Sequence, residues 1–78
     1  MKTMTCRQLG GACDAEFTAE TFKEIAQQSR DHGMEMYQKG ESDHIEAINA
    51  MQELMAKPGA MEEWMMEKEK EFNELPDQ

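Results

Sequence analysis

The chain has 78 residues, with 17 acidic against 8 basic side chains, a net charge of −9 and 38% hydrophobic residues. A chain of this length is read as one domain spanning 1–78 that buries about 60–65% of the surface exposed when unfolded, a marginal core that a metal, a crosslink or a partner subunit would strengthen. The charge argues against nucleic acid and anionic membrane surfaces, which both need clustered Lys and Arg, and no run of about 18 apolar residues is present to span a bilayer.

The first residues, Met1-Lys2-Thr3-Met4-Thr5, carry no apolar secretory stretch. The expected compartment is therefore the cytoplasm, where two cysteines read as thiols, metal ligands or a redox pair rather than a permanent disulfide. The chain changes character near residue 20, from strand and turn residues to helical patterns. Residues 2–6 and 13–18 are predicted as two strands about Gly10-Gly11, whose freedom at positive φ suits a tight turn. A turn centred on Gly10-Gly11 pairs Cys6 with Ala15 and Gln8 with Cys13, whereas one centred on Leu9-Gly10 pairs Cys6 with Cys13. Both registers put the two sulfurs on one face, because strand side chains alternate with period two.

Thr21-Phe22-Lys23-Glu24 is a capping box that predicts a helix start. Phe22, Ile25, Ala26, Ser29, Gly33 and Met36 form the apolar stripe of that helix, and Gly40 is its stop. A second helix is predicted from Ser42 or Asp43, with Asp43-His44-Ile45-Glu46 as its capping box. Its stripe is Ile45, Ile48, Met51 and Met55, widened by Leu54 and interrupted by Gln52. Pro58-Gly59 ends it. A third helix runs from about Ala60 to Glu74, with Met61, Trp64, Met65, Lys68 and Phe72 at helical spacing. Its many acids, Glu62 through Glu74, read as a solvated face.

The concentrated chemistry is Cys6 and Cys13. Their C-x6-C spacing is not the C-x2-C of common zinc knuckles, but two thiols on one face of a hairpin can reach one ion. His32 on the first helix is the best third ligand, since that helix must cross the hairpin to bury Phe17, Phe22 and Ile25. Asp14 alternates to the opposite face. His44, in the first turn of the second helix, is expected to be an exposed surface or capping residue. Against the metal reading stand a hairpin core in which both cysteines merely pack, and a reversible Cys6–Cys13 disulfide.

Thr5-Cys6-Arg7, Leu9-Gly10, Cys13-Asp14, the Glu20-Thr21-x-x-Glu24 helix start and His32-Gly33-Met34 together resemble the prokaryotic family of predicted small metal-binding proteins, a domain of unknown function. The resemblance covers about residues 1–37 and implies a ββα unit with Cys6, Cys13 and His32 as ligands. The family carries two histidines close together on the helix, the second followed by glycine. His32-Gly33 fits the second, while Gln27 or Gln28 stands near the place of the first. A three-ligand site with water, a site completed by another chain and a lost site are the alternatives.

Nine methionines raise Cu(I), which favours soft sulfur. However, Met34 and Met36 point about 200° apart on a helix, and Met51, Met55, Met61 and Met65 follow core spacing. Zinc is therefore the expected metal. No nucleophile elbow, phosphate loop, HExxH helix or deaminase signature is present, so binding is expected rather than catalysis.

The fold expected is α+β, ββααα: a two-stranded hairpin packed on a helix (residues 1–40), then two further helices as an extension (41–78). The function expected is a small metal-binding module. The alternative is a structural or protein–protein interaction domain, and a thiol redox switch is third. Neither nucleic acid nor membrane is expected as a partner; a second copy or another protein would dock on the Met/Trp-rich C-terminal helices.

Overall fold

The computed structural model describes residues 1–77, and the order of its elements is ββααα. Strand β1 (Lys2–Thr5) pairs antiparallel with β2 (Glu16–Ala19), Met4 lying opposite Phe17 and Thr3 opposite Thr18. Alternation sends Met4, Phe17 and Ala19 inward and leaves the two threonine hydroxyls in contact at 2.8 Å on the other face.

This register is the one centred on Gly10-Gly11, and the Cys6 N–H extends it by donating to the Ala15 carbonyl at 2.8 Å. The tight turn expected there does not form, and Gln8 does not pair with Cys13. Cys6 adopts a right-handed helical backbone (φ −52°, ψ −45°) and leads into a single 3₁₀ turn at Arg7–Leu9. Its carbonyl accepts from Leu9 and Gly11, at 3.0 and 2.8 Å, and the Arg7 N–H donates to the Cys13 carbonyl at 3.0 Å. These bonds coil residues 6–13 into a loop. Gly10 turns it at φ 89°, a conformation costly for any side chain. The strands are therefore shorter than the sequence suggests, at 2–5 and 16–19 instead of 2–6 and 13–18.

Helix α1 (Phe22–Gln38) begins where the capping box predicts. The Thr21 hydroxyl accepts the Glu24 N–H at 3.3 Å and donates to the Glu24 carboxylate at 3.0 Å. It ends in a Schellman turn, with Gly40 at φ 75°. Gly40 N–H donates to Tyr37 and Glu41 N–H to Met36, at 3.0 and 3.1 Å. The chain then enters α2 (Ser42–Met55) without a linker, because Glu41, the last residue of that turn, is also the N-cap of α2. The helix starts at Ser42, one of the two expected positions, but the expected Asp43 capping box is not its cap. The Glu41 carboxylate, not Ser42 or Asp43, takes the His44 N–H, at 2.7 Å.

Helix α3 (Ala60–Glu74) follows a left-handed Gly59 and brings Phe72 back to the hairpin. The Phe72 ring lies 6.0 Å from that of Phe22, and the Lys2 ammonium sits 5.2 Å above it. Met4, Cys6, Leu9, Phe17, Ala19, Phe22, Ile25 and Phe72 make one core, with Trp64 and Met65 packed on its edge. The Ile45, Ile48, Met51 and Met55 stripe of α2 is only half-buried. A cavity of about 450 Å³ opens between the 3₁₀ loop, α1 and α2, and Ile48 and Met51 form part of its wall.

Candidate metal centre

Four side chains meet where the hairpin loop, α1 and the first turn of α2 converge. Cys6 stands at the end of β1, with its sulfur lying over Gly11. A methyl group built on Gly11 would collide with that sulfur and press on the Cys6 carbonyl oxygen. Cys13 lies on the returning arm of the loop, half-buried. His32 is two turns beyond Ile25 on the inward face of α1, and its ring meets the Phe17 ring edge-on at 5.6 Å. His44 is 5% exposed and the only buried residue of α2.

The sulfurs of Cys6 and Cys13 and one ring nitrogen from each histidine all lie within 4.8 Å of one another. Cys13 Sγ is 3.3 Å from His32 Nε2, and Cys6 Sγ is 3.7 Å from His44 Nε2. The two imidazole rings stand nearly perpendicular at 75°, centroids 5.2 Å apart. A zinc tetrahedron with about 2.3 Å bonds to sulfur and 2.0–2.1 Å bonds to nitrogen has edges of about 3.3–3.8 Å. The two measured thiol–imidazole separations already fall in that span. The cluster therefore has the size and donor chemistry of a tetrahedral S2N2 centre, and closing its longest separation takes about 1 Å of side-chain movement.

Electrostatics divide the two thiols. Burial pushes the Cys6 thiol above its ordinary range. At Cys13 burial acts the same way, but hydrogen bonds from the Ala15 backbone, His44 and Cys6 outweigh it and hold that thiol below its ordinary value. The Glu41 carboxylate accepts from His44 Nδ1 at 2.9 Å. That bond raises the imidazole's affinity for a proton against the opposing effect of burial, with Cys13 adding to it. The His44 backbone N–H and ring in turn hold Glu41 below the usual carboxylate range.

Cys6, Cys13 and His32, the residues singled out in the sequence, are brought together here, although by a coiled loop rather than by strand alternation. His44 corrects the expectation of an exposed capping residue: its ring turns inward and its Nε2 faces Cys6. The signal in the sequence was a histidine one turn into a helix that follows Gly40 at once; the depth of the α1–α2 corner was not visible there. Asp14 is exposed and pairs with Arg7 at 3.1 Å. Gln27 and Gln28, near the place of the family's other helical histidine, bond Asp31 and the Thr18 carbonyl. Met4 is buried beside Phe17, and Met34 is exposed.

Fold and cluster together define a small α+β unit in which two cysteines and two histidines gather where the hairpin loop meets two helices. Residues 1–48 match the family described as protein of unknown function (DUF1059), and the chain belongs to that family. The matched span holds all four residues of the cluster and Glu41. No curated protein and no solved structure matches the chain.

Proposed function

We propose that this protein is a zinc-binding module in which Cys6 and Cys13, as thiolates, and His32 and His44, as neutral imidazoles, hold one ion. The observation that carries this reading is the convergence of the four donor atoms within 4.8 Å. The mixed sulfur and nitrogen donor set suits zinc better than calcium or magnesium, which take oxygen. Four protein donors leave no open position, so the ion's role is structural rather than catalytic. It would tie the loop carrying Cys6 and Cys13 to α1 and α2, supplying stability that a core of this size lacks.

The test is elemental analysis of protein purified under reducing conditions, followed by zinc titration of the metal-free form. One equivalent of bound zinc and a raised melting temperature are expected. Absence of metal, together with melting unchanged by zinc, overturns the reading. A second reading, a reversible Cys6–Cys13 disulfide, is favoured by both thiols being free and close together. It predicts a mass loss of two hydrogens on mild oxidation, reversed by a reductant.

A further inference from the structure

Glu41 has an unusual position. Ser, Thr, Asp and Asn are the preferred N-caps, and Ser42 and Asp43 stand immediately after it. A glutamate caps α2 instead. One of its oxygens, Oε2, accepts twice from the same residue, from the His44 backbone N–H at 2.7 Å and from the His44 ring Nδ1 at 2.9 Å. A serine or aspartate side chain at this position is one or two bonds shorter; it caps the N–H without extending to the ring.

The backbone fixes this carboxylate from the other side as well. Glu41 N–H closes the Schellman turn of α1 by donating to Met36 at 3.1 Å, and the Ile45 N–H donates back to the Glu41 carbonyl at 3.0 Å. Glu41 is therefore held at both peptide groups, and its side chain is directed along the first turn of α2. The ring it grips has one other nitrogen, and that nitrogen faces Cys6 at 3.7 Å.

From this geometry we infer that Glu41 is the positioning residue of the metal centre, fixing His44 in the tautomer that carries its proton on Nδ1 and offers Nε2 to the ion. The inference rests on the zinc reading above and deepens it. A carboxylate behind a ligating imidazole does three things: it selects which nitrogen is free, locks the ring's rotation and raises the basicity of the donating nitrogen. Here the same carboxylate also starts the helix. Forming the first turn of α2 and aiming the ligand are thus one event, and the metal centre is pre-formed as far as His44 is concerned.

The experiment compares zinc affinity, by competition with a chromophoric chelator, for the parent chain, Glu41→Ser and Glu41→Ala. Serine restores a good N-cap but lacks the reach and charge to hold the ring. The expected result is a loss of about ten- to hundredfold in zinc affinity for both variants, the range typical of a lost outer partner. The metal-free melting temperature should fall less in Glu41→Ser, which keeps the helix cap and loses only the bond to the ring, than in Glu41→Ala, which loses both. Nitrogen-15 spectra of the zinc-loaded parent chain should show His44 protonated at Nδ1 and metal-bound at Nε2. The slowly exchanging Nδ1 proton should disappear in Glu41→Ser.

Parent-like zinc affinity in Glu41→Ser would show that the residue is only a helix cap and would overturn the inference while leaving the metal reading intact. A His44 bound through Nδ1 would overturn it equally. A parent chain that binds no zinc would remove both.

Discussion

Replacing His44 by alanine is the most demanding test of the site, because the sequence alone did not place this residue there. The substitution has two separable effects. In the metal-free protein it removes a buried ring and leaves the Glu41 carboxylate with the backbone N–H alone; large-to-small changes of this kind cost about 1–3 kcal/mol. In the zinc-loaded protein it removes one donor of four. Structural zinc sites bind with an apparent free energy of about 10–16 kcal/mol, so an equal share per ligand is about 3–4 kcal/mol, or 10²- to 10³-fold in Kd.

Melting followed by circular dichroism, at one fixed free zinc concentration, reads the second effect. If free zinc is set at a thousand times the parent Kd, binding contributes about 4 kcal/mol. For a domain this small that raises Tm by about 15–30 °C. With Kd weakened 10²- to 10³-fold, the same zinc contributes only about 0.4–1.4 kcal/mol, a rise of about 2–10 °C. Comparing the zinc-induced shifts, rather than the melting temperatures themselves, removes the packing loss from the result. A His44→Ala variant whose zinc-induced shift equals that of the parent chain would refute the reasoning, since the imidazole would then lie beside the ion without binding it.

Three further outcomes are expected. Gly11→Ala should lower stability to urea by about 1–3 kcal/mol, the cost of overpacking, and should also weaken zinc binding, because the added methyl meets Cys6 Sγ; unchanged values for both would contradict the packing described. Phe72→Ala should cost about 3–5 kcal/mol, measured as a drop in the urea midpoint, because α3 docks on the hairpin through that ring. A midpoint that does not move would mean that α3 lies outside the cooperative core. Finally, stability should respond to pH in opposite directions with and without metal. Glu41 raises the His44 pKa above its ordinary 6.5, so in the metal-free protein this contribution is complete below about pH 6.5 and is lost as pH rises through the raised value. Zinc must displace protons from thiols and imidazoles, so its contribution grows over the same interval. Paired melts between pH 6 and 8, with zinc and with a chelator, would detect this; parallel slopes would argue against metal on these residues.

The secondary structure was legible in the sequence because its signals are local. Thr21 and Glu24 cap α1 through bonds spanning three residues, Gly40 and Gly59 mark their turns by positive φ, and strand alternation shows that Met4 and Phe17 face inward, although it left two hairpin registers open, between which the structure decides. Cys6, Cys13 and His32 could be singled out as a group because the hairpin and the helix crossing it are adjacent in the chain. Sequence did not disclose how the Cys6–Cys13 loop is built or what the first turn of α2 does. The loop coils because the Cys6 carbonyl gathers two N–H groups, a competition between hydrogen-bond partners that strand alternation does not register. Glu41 outcompetes the better intrinsic caps beside it because a second partner, the His44 ring, rewards a longer side chain. That partner is available only once α1 and α2 share Glu41 at a linkerless corner and fold the ring over Cys6. Local propensity determined the elements. The ion-sized convergence of two sulfurs and two imidazoles was decided by packing among a loop and two helices, with Cys6 and His44 separated by 38 residues in the chain.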